Sequence, residues 1–222
     1  MKKIMFSDKF GLTEAVLSGR KTQTRRIVPQ KVLDKACEFA IAYFNETFDV
    51  FADDKEVLQH YFFVEKIGKL PYAVGEVVAI AQSYKDCGYS SDAIDRSPKD
   101  WRDIRGTLGE SKGWNNKMFV RSDSCKHHIR IINVRVERLQ DISYEDCLAD
   151  GVYILDEDPM NPQAYIHSFP NSPESYYHPR EAYAALTDRI SGKGTWESNP
   201  YVFVYEFELV EIFNYRKKNG TT

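Results

Sequence analysis

The segment GRKTQTRR, Gly19 to Arg26, places four cations and two hydroxyls in eight residues. Three chemistries fit that composition. Cations just after a helix complement the negative end of its macrodipole and stay in water. Lysine and arginine also grip phosphate, which would occupy Lys21, Arg25 and Arg26. Third, the segment could serve catalysis. A threonine hydroxyl of the segment would attack an electrophile, and its lysine would take the hydroxyl proton. An ordinary lysine, with a pKa of about 10.4, must first lose its own proton; Arg20, Arg25 and Arg26 would favour that loss by like-charge repulsion. Backbone N–H groups near Gly19 would hold a developing oxyanion.

Other reactive side chains are scattered. Cysteines stand at 37, 87, 125 and 147 with no CxxC pair, and Cys125-Lys-His-His has no second half at metal-ligand spacing, so neither a metal nor a cofactor is expected. Trp101, Trp114 and Tyr89 would either stack on bases or pin a loop. Arg130, Arg135 and Arg138 alternate with valine and isoleucine, as on the wet face of a half-buried strand. The net charge of −3 argues against a polycation that coats nucleic acid. Two basic segments, Lys2–Arg26 and Lys117–Arg138, would make a positive groove if they met in space. No signal peptide and no apolar run of about 20 residues is present, so a cytoplasmic protein with reduced thiols and no membrane partner is expected.

The elements that must position these residues can be read from pattern. A first strand is predicted over Lys3–Phe6, then a helix over Thr13–Ser18 with Thr13 as N-cap and Gly19 ending it. GRKTQTRRIV turns from loop into strand and Pro29 stops it. Val32–Tyr43 has helical spacing, and Phe44–Val64 alternates as one or two strands. A turn at Pro71–Glu76 precedes the buried strand Val77–Ala81. His128–Leu139 alternates with a break at Ile132-Asn133, which predicts a bulge. Ser143 caps a helix that Gly151 closes. Pro179–Ser191 is a helix with proline at N1 and apolar Ala182, Tyr183, Leu186 and Ile190 on one stripe. Tyr201–Val210 is the last strand. There is no βαβ alternation and no Gly-rich phosphate loop. The expected fold is α+β: a small, closed β-barrel with short flanking helices and long loop insertions near 30–70, 85–116 and 155–178. A single domain over 1–214 would be followed by a polar tail at 215–222.

Several segments in this order resemble the ASCH family of the PUA-like superfamily, in its long form carried by phages and prophages. They are GRKTQTRR after a strand and short helix, Tyr72-x-x-Gly75-Glu76 before an apolar strand, VRVERLQDISYEDCLADG, and TWESNPYVFVYEFELV after a helix. The resemblance covers most of the chain. It implies a PUA-like barrel with an RNA- or nucleotide-related role, and a cleft lined by the GxKxxTxR signature, here Gly19, Lys21, Thr24 and Arg26. A small bacterial member is an acetylcytidine amidohydrolase that uses a lysine, a threonine three residues on and a glutamate; the matching positions here are Lys21, Thr24 and Asp150. This chain departs from the pattern twice. Asp150 is a methylene shorter than glutamate, and the V-R-E-T-W strand of long relatives reads Ile80-Ala81-Gln82-Ser83-Tyr84. Lys21 and Thr24 would also face opposite ways in a regular strand, so the site requires a turn between them.

Two functions follow. As a binding module for RNA or a nucleotide, the chain would place Lys21, Arg25 and Arg26 on phosphate and Thr24, Gln82 and Tyr84 near the base, with Gly19 and Arg20 also at the ligand and Trp196 as a wall. As a hydrolase of a modified nucleoside or RNA, it would use Lys21, Thr24 and Asp150 as the reacting set. The binding module is the leading expectation.

Overall fold

The structure, a computed structural model, describes residues 1–94, 106–158 and 160–210. The expected tail at 215–222, Trp101 and part of the 85–116 insertion lie outside the described residues. The fold is α+β. Its centre is a five-stranded sheet in the order β1-β3-β4-β7-β2: β1 (Lys3–Ile4), β3 (Val77–Ile80), β4 (His128–Arg138), β7 (Tyr201–Val210) and β2 (Gln23–Ile27). Only β1 and β3 run parallel.

β4 carries the hydrophobic logic of the sheet. Ile129 and Ile131 are buried, and so are Val134 and Val136, although the two pairs differ in parity. A register shift between Ile131 and Asn133 reconciles them. The extra residue leaves exposed Ile132 outside the core and returns the later valines to the inner face, because a one-residue slip otherwise turns every side chain over. On β7 every residue from Tyr201 to Tyr205 is buried, so this strand is covered on both faces.

Among the described residues β1 pairs only with β3, and β2 only with β7. No closed barrel is present among them. The edges nevertheless lie close, because Arg26 Nη2 donates to the Met5 carbonyl at 2.5 Å, just beyond β1.

The helices correct parts of the sequence reading. α1 (Leu12–Leu17) is capped by Gly11 and not by Thr13, whose hydroxyl donates instead to Asp8 Oδ1 at 2.5 Å. Gly19 follows it with φ 75°, the left-handed conformation the sequence led us to expect. α2 spans Gln30–Thr47, and α3 (Asp54–Gln59) runs into a π-helical turn at His60–Val64. The strands expected over Phe44–Val64 and the loop expected near 30–70 are therefore helical. The aromatics that suggested alternation pack α2 onto the loop after it, with Phe39, Tyr43 and Phe51 within 6.1 Å of one another, and Phe62 meets Phe203 of β7 edge-on at 4.9 Å.

α4 (Tyr144–Ala149) starts at Ser143, whose Oγ accepts from the Asp146 N–H at 3.1 Å. The expected loop at 155–178 instead contains a hairpin, β5 (Tyr153–Asp158) and β6 (Asn161–Ser168). α5 (Pro179–Ser191) has the limits the pattern predicts, with Ala182, Tyr183 and Leu186 buried and Ile190 exposed. The short α6 (Thr195–Ser198) follows, fastened by the Asp188 carboxylate, which accepts the N–H groups of Gly194 at 3.1 Å and Trp196 at 2.9 Å. One apolar core runs from Ile4 to Phe207, and Ala79, Tyr84, Leu108, Val120 and Cys125 form a smaller cluster. Among the described residues no helix is long and apolar enough to cross a membrane.

Candidate functional site

The segment from Gly19 to Thr22 is clamped by main-chain hydrogen bonds. Lys21 N–H donates to Ala15 at the end of α1, Thr22 N–H to Ala149 at the end of α4, and Phe207 N–H of β7 to Thr22, all at 2.8–2.9 Å. β2 begins only at Gln23. Lys21 thus precedes the strand and escapes its alternation, which supplies the turn that Lys21 and Thr24 need to share a site.

Lys21 is 3% exposed and Asp150 is 3% exposed. The Lys21 ammonium donates to the Asp150 carbonyl at 2.6 Å and to its Oδ1. Asp150 ends α4 and precedes Gly151, whose φ of 114° suits glycine alone. A Cβ at Gly151 would stand 3.0 Å from Leu12 and 3.6 Å from the Lys21 side chain. The tight contact is with Leu12, while the distance to Lys21 is an ordinary van der Waals one, so the glycine is required by its backbone conformation and by the packing of Leu12. Burial pushes the Lys21 pKa down, Asp150 pulls it back up, and Arg26 and Arg25 lower it again; the net direction is downward.

Arg25 holds the other side of Asp150. Its Nη1 donates to Asp150 Oδ2 at 2.6 Å, its Nη2 to Glu137 and to Asp146, both at 2.7 Å, and its Nε to Glu137 at 3.0 Å. The side chain is 2% exposed. Burial pulls its pKa down, but Asp150, Tyr183 and Glu137 more than offset this and keep it a firm cation. Arg135 continues the network to Glu137 at 3.0 Å, and also to Asp146 and Glu206; Gln23 Nε2 adds a bond to Asp146 at 2.9 Å. Arg25 is thus committed to three carboxylates and not to phosphate. Arg135 lies on the half-exposed face the alternation predicts, where it joins these carboxylates, and Arg130 lies on it in an exposed pair with Glu208 at 2.8 Å. Arg138 lies over the Tyr201 ring at 3.8 Å.

These residues border a cavity of about 550 Å³. Lys21, Thr24, Arg25, Arg26 and Asp150 all line it. Thr24 is buried, and its hydroxyl makes no hydrogen bond among the described residues. Phe6, Phe10 and Tyr183 supply aromatic wall, and Lys9, Arg26, Lys117 and Arg189 supply cations. Lys117 Nζ is tied to the Phe6 carbonyl and to Asp8 at 2.7 Å, and Arg189 to Glu174 at 2.7 Å. Burial, then Asp150, pushes the Tyr183 hydroxyl well above its ordinary range, so it stays protonated.

The remaining expected ligand residues stand elsewhere. Gly19 shapes the turn and does not line the cavity, and exposed Arg20 turns its Nε to Ser18 at 3.2 Å. Gln82 lines a different hollow, where its oxygen accepts two backbone N–H groups and so is not available to Lys21. Tyr84 is buried in the smaller apolar cluster. Trp196 packs edge-on against Tyr183 at 6.3 Å, under Arg180, and does not line the cavity. The sequence reading missed Phe6, Phe10, Lys117 and Tyr183 as wall residues. Tyr183 was visible on the apolar stripe of α5, but nothing local marked it as facing a site. Among the described residues no group of three or more His, Cys, Asp or Glu side chains could hold a metal ion. Comparison with family models, with curated proteins and with solved structures found no match for this chain.

Proposed function

We propose that the chain is an ASCH-type, PUA-like domain that binds a nucleoside or nucleotide unit, free or within RNA, in the cleft beside β2. The observation that carries this reading is the cavity of about 550 Å³ whose floor is the buried Lys21–Asp150 pair, whose wall is aromatic and whose rim holds Lys9 and Arg26. That volume lies within the range of small-ligand sites, about 300–1,000 Å³. A base would rest against Phe6 and Phe10, the Thr24 hydroxyl would meet a polar edge, and phosphate would meet Arg26 and Lys9. Titration of nucleotides and short RNAs by calorimetry at several salt concentrations tests this. Affinity should fall with salt, with a log–log slope of about −0.7 per phosphate contact on a single strand. Arg26→Ala should weaken binding about tenfold. Absence of binding to any nucleoside, nucleotide or RNA, or indifference to Lys21→Met and Arg26→Ala together, refutes it.

A second reading, hydrolysis of an N-acylated base, is favoured by one feature. The Lys21 amine, lowered in pKa and oriented by Asp150, shares its cavity with a threonine hydroxyl that has no partner among the described residues. In that reaction Thr24 Oγ attacks the acyl carbonyl while neutral Lys21 takes the hydroxyl proton. The C–N bond then breaks, and the Lys21 ammonium returns that proton to the departing amine. Water next attacks the acyl ester on Thr24, giving a proton to Lys21, and the ester oxygen recovers it as the carboxylic acid leaves. Asp150 keeps the Lys21 nitrogen in place in both its neutral and its protonated form. Turnover of acetylcytidine that disappears in Thr24→Ala while binding survives supports it; binding without turnover in the wild type excludes it.

A further inference from the structure

A second hollow, of about 470 Å³, lies between α1 and the chain leaving β3. Gln82, Asp86, His127, Thr13 and Glu14 line it, and Asp8 lines both this hollow and the first cleft. Its unusual member is Gln82. The residue is 5% exposed. Its Oε1 accepts the backbone N–H of Lys126 at 3.1 Å and of His127 at 3.3 Å, and Cys87 Sγ approaches it at 3.9 Å. Two main-chain donors fix which end of the amide is oxygen. The nitrogen must then be the other end, on the side of the hollow, and among the described residues it has no acceptor. The Nε2 end is not sealed from solvent, so it is open to donate to a ligand in the hollow.

The surrounding charge narrows what that ligand is. Asp8 is neutralised by Lys117 at 2.7 Å. Asp86 receives the Ser83 hydroxyl at 2.6 Å, and Glu14, exposed on α1, has no partner among the described residues. His127 is the remaining titratable group on the wall. An anion is repelled here. A neutral planar group that offers an acceptor to the Gln82 nitrogen and amino hydrogens to a carboxylate is matched. Adenine, cytosine and guanine present that combination; uracil lacks the exocyclic amine.

We propose that this hollow seats a second, amine-bearing base of the same strand whose first nucleotide occupies the cleft beside β2. The protein then reads an oligonucleotide across two compartments divided by the Asp8–Lys117 pair. This rests on the nucleotide reading of the first cleft and extends it to the neighbouring base.

The experiment compares a mononucleotide, CMP, with the dinucleotides CpC and UpU by calorimetry, on the wild type and on Gln82→Glu and Glu14→Ala. Gln82→Glu keeps an oxygen for the two backbone donors and replaces the outward N–H groups with a carboxylate oxygen, an acceptor in place of the donor. Glu14→Ala alters an exposed side chain with no partner among the described residues, so the fold is undisturbed. The expected result is CpC binding about tenfold or more above CMP in the wild type, with no such gain for UpU. Both variants should bring CpC down to the CMP level and leave CMP unchanged. CMP binding with no gain for CpC, or an equal gain in both variants, overturns the second compartment and leaves the first standing. If neither CMP nor CpC binds, both readings fall.

Discussion

Replacing Arg25 by methionine tests whether the buried charge cluster holds this fold together. Its guanidinium is 2% exposed and joins Asp150 of α4, Asp146 of α4 and Glu137 of β4, so it ties β2 to two other elements. Removing one partner from a buried ion pair typically costs about 3–5 kcal/mol, because the other charge stays buried and uncompensated. Each carboxylate here keeps a second donor: Lys21 on Asp150, Arg135 and Gln23 on Asp146, and Arg135 on Glu137. The loss should therefore sit at the low end, about 3 kcal/mol. For a chain of this size that is a fall in Tm of roughly 6–12 °C. Arg25→Lys keeps the charge but cannot span three carboxylates, and should fall between.

The measurement is urea unfolding followed by far-UV circular dichroism at neutral pH, repeated at lower pH. Burial raises the Asp146 carboxyl, but Gln23, Arg25 and Arg135 more than reverse this and hold it below its ordinary value. A carboxyl depressed in the folded state contributes stability that is present above its unfolded pKa of about 3.9 and is lost as pH falls through the folded value. The gap between wild type and Arg25→Met should therefore narrow below about pH 4. Arg130→Ala removes an exposed pair with Glu208 and should cost about 0–1 kcal/mol. If Arg25→Met costs no more than Arg130→Ala, or if the gap does not depend on pH, the cluster does not hold the sheet to α4.

Other outcomes follow from single contacts. Gly151→Ala should destabilise by about 1–3 kcal/mol in urea unfolding, since φ is 114° and its Cβ would meet Leu12 at 3.0 Å. Phe62→Ala, removing a buried ring that packs on Phe203, should cost about 3–5 kcal/mol in thermal or urea unfolding. Asp188→Ala frees the N–H groups of Gly194 and Trp196, and a cap of this kind is typically worth about 0.5–2 kcal/mol. Trp196 fluorescence should report that loosening directly. Because those N–H groups hold the Asp188 carboxyl below its ordinary value, the contribution is present above about pH 4 and fades as pH falls through the folded value.

Local pattern recovered those elements whose own residues face one core. α5 has proline at its start, glycine at its end and one apolar stripe, and its limits are the ones expected. In β4 the break in alternation at Ile132-Asn133 is the bulge itself. The reading failed where apolar residues serve a local cluster. Phe39, Tyr43 and Phe51 pack α2 onto its neighbours, and that arrangement has no strict period. A signal was present all the same, since Asp53 accepts the Glu56 N–H at 2.8 Å and so begins α3. The β5–β6 hairpin failed for the opposite reason. Most of β5 is exposed, so no inward face imposes alternation.

The site was legible as composition but not as geometry. Lys21 and Asp150 are 129 positions apart, and no local rule brings them together. Nor can composition separate Arg25 from Arg26. Along β2 they point to opposite faces, so one enters the carboxylate cluster and the other reaches the cleft and the Met5 carbonyl. Thr24, Arg25, Arg26 and Ile27 nonetheless all line the cavity, together with Met5 and Phe6 just past β1. Both parities of a strand reach one hollow only if the hollow runs along that strand's free edge. The cleft therefore occupies the seam between β1 and β2, where a closed barrel would have its last row of hydrogen bonds. The pairings flanking β2, Phe207 N–H to Thr22 and Val28 N–H to Tyr201, set its register against β7. By antiparallel alternation Arg25 and Ile27 then turn their main-chain groups away from β7 and toward the seam. An open seam leaves these donors and acceptors free for a ligand, beside Lys21 and Thr24. The same feature that keeps the sheet from closing equips the cleft to hold something.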